Sequence, residues 1–443
     1  MRRSPGRPPA IAVLAALGLF GAACATNPVT GDRELKLISQ AREIRTGERH
    51  YDEARRSQGG DFRADAALGE YLSEVGHRVA AVSGRPDLPY EFTVINSSEP
   101  NAWALPGGKI GVTRGLLLQL ETEDELAAVL SHQIAHASAR HGIKVLERNA
   151  AKRMAVTGAL IATAFVGVPA IPLVALLDPD ADSTERLVER RRSVGEEIEA
   201  DLYGMKYMQA AGYDPRAAVE MRARLLQREG EQRERIREGL FAAHPPYLER
   251  LSAARLNAHL LAPDEAGAGS PASDRYAAAM AWLRKAQAAY EACDAGRAAY
   301  ERGEHDLALA EATRAAEIAP AEPRFHVFLG DMLVQAEHFE EALASYDVAL
   351  RQDPVDAEAY LRRGLARRAL FDFSGARDDF EWSQRLDPSR SASRELRDLG
   401  PPAAHGDPEP TAGSSFLSFG PGLPTRMPLA SPPPVRLEMD SFD

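Results

Sequence analysis

Apolar residues recur at three- and four-residue intervals over Leu35 to Ser57 and Ala66 to Val82, so residues 25 to 85 predict helices. Tyr90-Glu91-Phe92-Thr93-Val94-Ile95 then alternates as a strand. Asn101 to Leu105, a Pro106-Gly107-Gly108 turn and Lys109 to Thr113 predict two more short strands. Thr122 to Gly142 returns to helical spacing. Thr122 and Glu125 form an S/T-x-x-E capping box, acidic residues fill the first turn, Leu126, Val129, Leu130 and Ile134 form an apolar stripe, and Gly142 is the stop. Ser193 to Ala211 repeats that design with Ser193 and Glu196 as its box and Gly212 as its stop. Arg222 to Leu240 is a charged helical stretch, followed by Phe241-Ala242-Ala243-His244-Pro245-Pro246 and a further helix carrying Arg250.

A second periodicity governs the C-terminal part. Gly296, Gly330 and Gly364 recur every 34 residues, as do Ala308, Ala342 and Ala376, and Pro320, Pro354 and Pro388. Tyr346 and Phe380 keep the same period. Small residues where helices cross, an aromatic on the second helix and a closing proline at this interval are the tetratricopeptide pattern, and three repeats suffice to bury a continuous core. The chain thus divides into residues 1–24, an export-type leader; 25–262, a mixed domain; 263–274, a linker rich in Gly, Ala, Ser and Pro; 275–390, the repeats; and 399–443, a Pro-rich tail expected to be disordered. The predicted fold is α+β, mainly helical with a small sheet, followed by an all-α solenoid. An edge strand of that sheet offers backbone hydrogen bonds to an extended peptide without demanding a sequence.

Composition narrows the compartment and the partners. A net charge of -12 argues against nucleic acid as the main partner. Arg2, Arg3 and Arg7 precede an apolar run from Ala10 to Phe20 that is short for a membrane span and ends in Gly21-Ala22-Ala23 before Cys24. This resembles a bacterial lipoprotein signal with Cys24 as the lipidated first residue; Ala25 after it favours the periplasmic face of the outer membrane. A plain secreted protein and a retained anchor are the other readings. With Cys24 acylated, Cys293 has no intrachain partner, so packing and metal replace disulfides. Met154 to Leu177 holds 24 positions without a charge, the length of a membrane span. Its Pro169, Pro172, Gly158 and Gly167 equally suit a buried or interfacial helix pair over the cleft, or a mobile apolar loop.

The chemistry centres on His132-Gln133-Ile134-Ala135-His136. Histidines four apart sit one helical turn from each other, so both imidazoles reach one ion from one face, which is half of a zinc site. A metallopeptidase of this design carries Glu directly after the first His as general base, and here that position is Gln133. Among the acidic residues of the second capped helix, Glu196 and Glu199 read as dipole complements on a solvated face. Glu197 and Asp201 share a face at i,i+4, so one carboxylate can ligate while the other accepts the free N–H of a ligand histidine. His244, taken alone, reads as a loop histidine before Pro245.

Cys24-Ala25-Thr26-Asn27-Pro28-Val29-Thr30-Gly31, Asn101-Ala102-Trp103-Ala104-Leu105-Pro106-Gly107-Gly108, the His132 helix, Glu197-Ile198-Glu199-Ala200-Asp201 and His244-Pro245 together resemble the HtpX/BepA-like zinc metallopeptidase family, which includes the CAAX prenyl endopeptidases. The resemblance covers residues 24 to 260, and the order of protease then tetratricopeptide repeats extends it to about 390. It implies a zincin-like domain holding one Zn2+, with His132, His136 and Glu197 as ligands and Asp201 as the carboxylate behind them. It also implies His244 near the metal, as a reversible fourth ligand or a transition-state stabiliser, with Arg250 nearby. Relatives of this lipoprotein type degrade or help assemble outer-membrane proteins. Gln133 departs from the pattern: its amide cannot take up a proton, so hydrolysis is expected to be impaired while zinc binding persists. The leading expectation is therefore a metalloendopeptidase-type protein of the bacterial periplasm, anchored to the outer membrane, whose partners are unfolded or misassembled envelope proteins and, through the repeats, the assembly machinery. The alternative is an inactive zinc-containing chaperone or scaffold; a repeat adaptor that has lost metal is the third.

Overall fold

A computed structural model describes residues 24–400 apart from 28, 30, 32, 153–182, 184–191, 229, 246–247, 262–271 and 389. The leader, the uncharged run 154–177, most of the linker and the tail beyond residue 400 lie outside the described residues, as does the Cys24 side chain. Among the described residues no helix is long and apolar enough to cross a membrane. They form two compact units: residues up to Phe62 with Ala67–Met280, and Arg63–Ala66 with Ala281 onward.

The first unit opens with a short antiparallel hairpin, β1 (Cys24–Thr26) and β2 (Arg33–Leu35), where helix was expected. The turn decides this. Asn27 Oδ1 accepts the Val29 N–H at 2.8 Å, and Gly31, at φ +77, donates to the Asn27 carbonyl at 2.9 Å. Helices α1 (Gln40–Ser57) and α2 (Ala66–Ala80) follow, then β3 (Glu91–Ile95), β4 (Ala102–Leu105) and β5 (Lys109–Thr113). The sheet order is β3-β5-β4, with β3 parallel and β4 antiparallel to β5, so β4 is an edge. Gly111 on β5 is required by its neighbour, since a Cβ there would lie 2.4 Å from the Trp103 indole. Trp103 anchors a core cluster with Tyr51, Ile95, Leu105 and Ile143.

After the single turn α3 (Arg114–Leu117), helix α4 (Glu123–Ser138) runs through the middle of the unit. Apart from Asp124, all its residues are buried, so its apolar stripe widens to the whole circumference. Thr122 Oγ1 accepts from the Glu125 N–H at 3.2 Å, but the reciprocal half of the expected capping box is absent. Glu125 instead accepts from the Glu121 N–H and is held by Arg224. The stop also differs: Arg140, at φ +60, takes the left-handed position expected of Gly142. Such a conformation costs about 1–2 kcal/mol outside glycine. It is offset by contacts of the buried guanidinium with Glu43 (3.2 Å), the Ile38 carbonyl (2.8 Å) and Glu147 (3.1 Å). Arg140→Ala is expected to destabilise this unit by about 3–5 kcal/mol, as breaking a buried ion network does, measurable as a lowered first calorimetric transition.

Helices α5 (Val194–Ala210), α6 (Arg216–Leu226), α7 (Gly230–Glu238), α8 (Leu240–Ala243) and α9 (Leu248–Leu261) complete the bundle around α4. Ser193 and Glu196 form the full capping box of α5, and Gly212 follows its end at φ +86. Helix α10 (Ala272–Ala279), placed by sequence at the linker's end and the head of the repeats, packs with the first unit: Tyr276 is fully buried and donates to the Leu117 carbonyl at 2.6 Å.

The second unit stacks three helix pairs, α11 (Ala281–Glu301) with α12 (His305–Ile318), α13 (Pro323–Gln335) with α14 (Phe339–Gln352), and α15 (Ala357–Ala369) with α16 (Phe373–Leu386), closed by α17 (Arg390–Leu399). The 34-residue period has a steric cause. A Cβ on Gly330 would fall 2.6 Å from the Tyr346 ring, and one on Gly364 would fall 2.6 Å from Phe380. In the first repeat Ala312 stands where the aromatic would be, and Phe328 of the next repeat covers Gly296 instead, 2.9 Å from such a Cβ. Gly330→Ala gains about 1 kcal/mol in helix propensity but overpacks by about 1–3 kcal/mol. A lower melting temperature of the repeat transition is the expected result.

Candidate metal centre

Two helices bring the donors together. On α4 the His132 and His136 rings meet edge to face one turn apart, centroids 4.6 Å from each other. On α5 Gly204 lets the backbone come close, a Cβ there lying only 3.2 Å from the His132 backbone nitrogen, and this proximity carries Glu197 and Asp201 to the histidines. His244, the residue after α8, completes the group. His136 Nε2 lies 3.0 Å from His132 Nε2, His132 Nε2 lies 3.2 Å from His244 Nδ1, and Glu197 Oε1 lies 2.9 Å from His244 Nδ1 and 3.3 Å from His136 Nε2. All four residues are buried. A tetrahedron with metal bonds of about 2.0–2.1 Å has edges of about 3.3 Å, so these donors are spaced to hold one ion.

The outer nitrogens are also engaged. His132 Nδ1 lies 2.9 Å from Asp201, whose carboxylate receives Arg222 at 2.8 and 3.0 Å and Arg250 at 2.6 and 3.0 Å. Burial alone would raise the Asp201 pKa; the two guanidinium groups and His132 hold it well below the carboxylate range. Glu197 is likewise held low, despite burial, by His244, His132 and His136. Burial pushes His244 down to about 4 and His136 well below its ordinary value, which keeps both imidazoles neutral and available. Arg250 ties the group together: it meets Glu197 Oε2 at 2.5 Å and donates to the carbonyls of His244 (3.0 Å) and Pro245 (3.1 Å).

Sequence reasoning missed two members. His141, fully buried, places Nδ1 2.7 Å from His136 Nδ1, and its Nε2 lies 3.4 Å from Glu199, a residue read from sequence as solvated. At i+5 from His136 it is off the helical face, and only the left-handed Arg140 turns it back. Arg222 comes from α6, at the head of the charged helical stretch, where the sequence gave no sign of burial.

Gln133 points to the sheet. Its Nε2 lies 3.2 Å from the Ala102 carbonyl on β4 and 3.2 Å from His244 Nε2. Thr113 donates to the Asn101 carbonyl, so the alternating antiparallel pattern turns the Ala102 and Ala104 peptide groups away from β5, toward the outer edge; there the Ala102 N–H donates to Asn101 Oδ1 at 2.8 Å, its carbonyl meets Gln133, and both alanines are buried. Beside His132 and Gln133 lies a small cavity, about 40 Å³, lined by Met205, Met208, Met221, Leu225, Leu240 and Phe241.

A buried ion site on one helix, a carboxylate pair on the next and a sheet edge alongside define a metallopeptidase-type domain. Residues 66–258 match peptidase family M48, and residues 293–357 and 329–391 match the tetratricopeptide repeat. The chain carries a peptidase family M48 domain followed by tetratricopeptide repeats, and M48 metallopeptidases are metal-dependent. It is 35% identical over 181 residues to the mitochondrial metalloendopeptidase OMA1 of Schizosaccharomyces pombe, covering 41% of this chain and 50% of that protein. It is 28% identical over 207 residues to the beta-barrel assembly-enhancing protease of Yersinia pestis (45% of this chain, 40% of the relative). The protein of that name from Escherichia coli O157:H7 is 27% identical over 255 residues (55% and 49%). The chain thus spans no more than about half the length of these relatives.

Proposed function

We propose that this chain is a zinc-binding, metalloendopeptidase-type protein of the bacterial envelope that engages unfolded or misassembled envelope proteins and whose hydrolysis is limited by Gln133. The observation that carries this reading is the convergence of His132, His136, Glu197 and His244, with Gln133 between them and the outer edge of β4. His132, His136 and Glu197 would hold one zinc ion, which supplies Lewis acidity to a scissile carbonyl. Asp201 accepts from His132 Nδ1 and fixes that ring; His141 does the same for His136. An extended client pairs with the Ala104 peptide groups on the outer edge of β4, which brings its backbone past the metal site. Gln133 occupies the place of the proton acceptor and cannot act as one. Arg250 positions Glu197 and the His244 backbone and does not itself meet the client.

The repeats recruit partners of outer-membrane protein assembly, and a lipid on Cys24 holds the protein at the periplasmic face of the outer membrane. The name of the bacterial relatives, beta-barrel assembly-enhancing protease, supports the assembly role, and the apolar run ending before Cys24 supports the lipid. A second reading, a zinc-containing chaperone without hydrolysis, is favoured by the Gln133 amide being engaged on two sides. Cleavage of casein by the protein and by Gln133→Glu, with zinc measured in both, tests the choice. If neither cleaves while both hold zinc, the chaperone reading replaces the protease.

A further inference from the structure

We propose that the hairpin face of the first unit is a docking surface for an anionic membrane, seated on phospholipid headgroups by Lys36, Lys144, Arg148 and Lys152; this rests on the reading of Cys24 as the lipidated residue. The backbone register fixes where a lipid leaves the fold. Cys24 is the first residue of β1 and pairs with Leu35, and Lys36 is the next residue past that pair. No linker therefore separates the acylated position from the folded hairpin. Each linker residue adds up to about 3.3–3.6 Å of reach. With none, the bilayer surface meets the hairpin itself.

The charges around that point are mostly of one sign. Residues 141–152 are helical and lie against the hairpin: Lys144 Nζ meets Glu34 at 2.7 Å, and the Ile38 N–H donates to Glu147 at 2.9 Å. Lys144, Arg148 and Lys152 stand at i, i+4 and i+8, one face of that helix over about 12 Å. Lys36, Lys152 and Arg33 of β2 are exposed, and the Arg148 side chain is 63% exposed. Two acids answer these five cations, Glu34 at Lys144 and Glu196 at Arg148, the latter 3.5 Å away. Glu147 is buried and turned inward to Arg140. In a chain of net charge -12 this is a local reversal of sign. Juxtamembrane basic clusters of this kind are drawn to anionic headgroups. An acidic protein would satisfy the charges but not the acylated residue beside them, so the occupant is a lipid surface. The lipid tethers the protein, and the basic face sets which side of the first unit rests on the bilayer.

The mature chain from Cys24, made without its leader and so unlipidated, is floated with vesicles of phosphatidylethanolamine and phosphatidylglycerol, and with vesicles in which phosphatidylcholine replaces the phosphatidylglycerol. Flotation with the anionic vesicles alone, lost as salt is raised to about 0.5 M, is expected. Each basic residue at such a surface is worth about fivefold in partitioning, so Lys36→Gln, Arg148→Gln and Lys152→Gln together are expected to lower it about 100-fold with the melting temperatures unchanged. Lys285→Gln, Arg302→Gln and Arg314→Gln, at three exposed cations of the repeats, are expected to leave it as it was. No flotation with anionic vesicles, equal loss in the two triple variants, or equal flotation with both kinds of vesicle, as insertion of the uncharged run 154–177 would give, overturns the proposal. Mass spectrometry of the full chain expressed in a bacterial envelope reads Cys24 separately. A free thiol there defeats the lipid reading itself, while the vesicle comparison still decides the face.

Discussion

Gln133→Glu is expected to raise the turnover of an unfolded substrate such as casein by about 10²- to 10⁴-fold, the usual worth of a positioned general acid–base group. The substituted carboxylate stands among groups already set for hydrolysis: His132 and His136 oriented by Asp201 and His141, and a strand edge whose Ala102 carbonyl it releases. The gain appears in kcat, because a proton acceptor acts on the reacting group and adds nothing to ground-state pairing with β4. Zinc content stays unchanged. Turnover of Gln133→Glu no higher than that of the unsubstituted chain, with zinc bound in both, would mean that the domain is arranged for binding alone.

Glu197→Ala is expected to empty the metal site. Zinc measured by mass spectrometry after gel filtration falls from about one ion per chain to near zero. Two effects add. One donor of three is lost, and the charge balance shifts, because Arg250 now faces the ion with the Glu197 carboxylate gone. Unit charges about 4 Å apart interact by about 4 kcal/mol at an effective dielectric constant near 20, and a divalent ion doubles the consequence. Glu197→Gln separates charge from shape: it keeps the side-chain volume between Arg250 and the histidines, so a folded, metal-depleted Glu197→Gln protein assigns the loss to charge. Zinc retained at the original level in Glu197→Ala removes Glu197 from the ligand set.

Those residues that repeat at the period of their own element were legible before any coordinates. His132 and His136 at i,i+4, Glu197 and Asp201 at i,i+4, and the glycines, alanines and prolines 34 apart each express one helix or one repeat. What escaped depends on partners distant in sequence. Arg140 adopts a left-handed conformation because Glu43 and Glu147 hold it, and neither is local. His141 reaches His136 only through that turn. Arg222 is buried because Asp201 waits for it, and the direction of the Gln133 amide is set by a strand some thirty residues upstream, in contact through the Ala102 carbonyl. The hairpin at Cys24–Leu35 was read as helix because three-residue strands carry too little alternation to outweigh helical spacing nearby.

Pairing at the outer edge of β4, as proposed above, has a consequence for how clients are sorted. Main-chain pairing asks nothing of side-chain identity, yet it requires several consecutive residues to be extended and unpaired at the moment of encounter. A native protein offers such a stretch only while it is open, and capture then follows the population of the open form. On the reading proposed above, a barrel precursor delayed in assembly and one that inserts promptly present the same sequence but very different dwell times. The strand edge discriminates between them as a clock does.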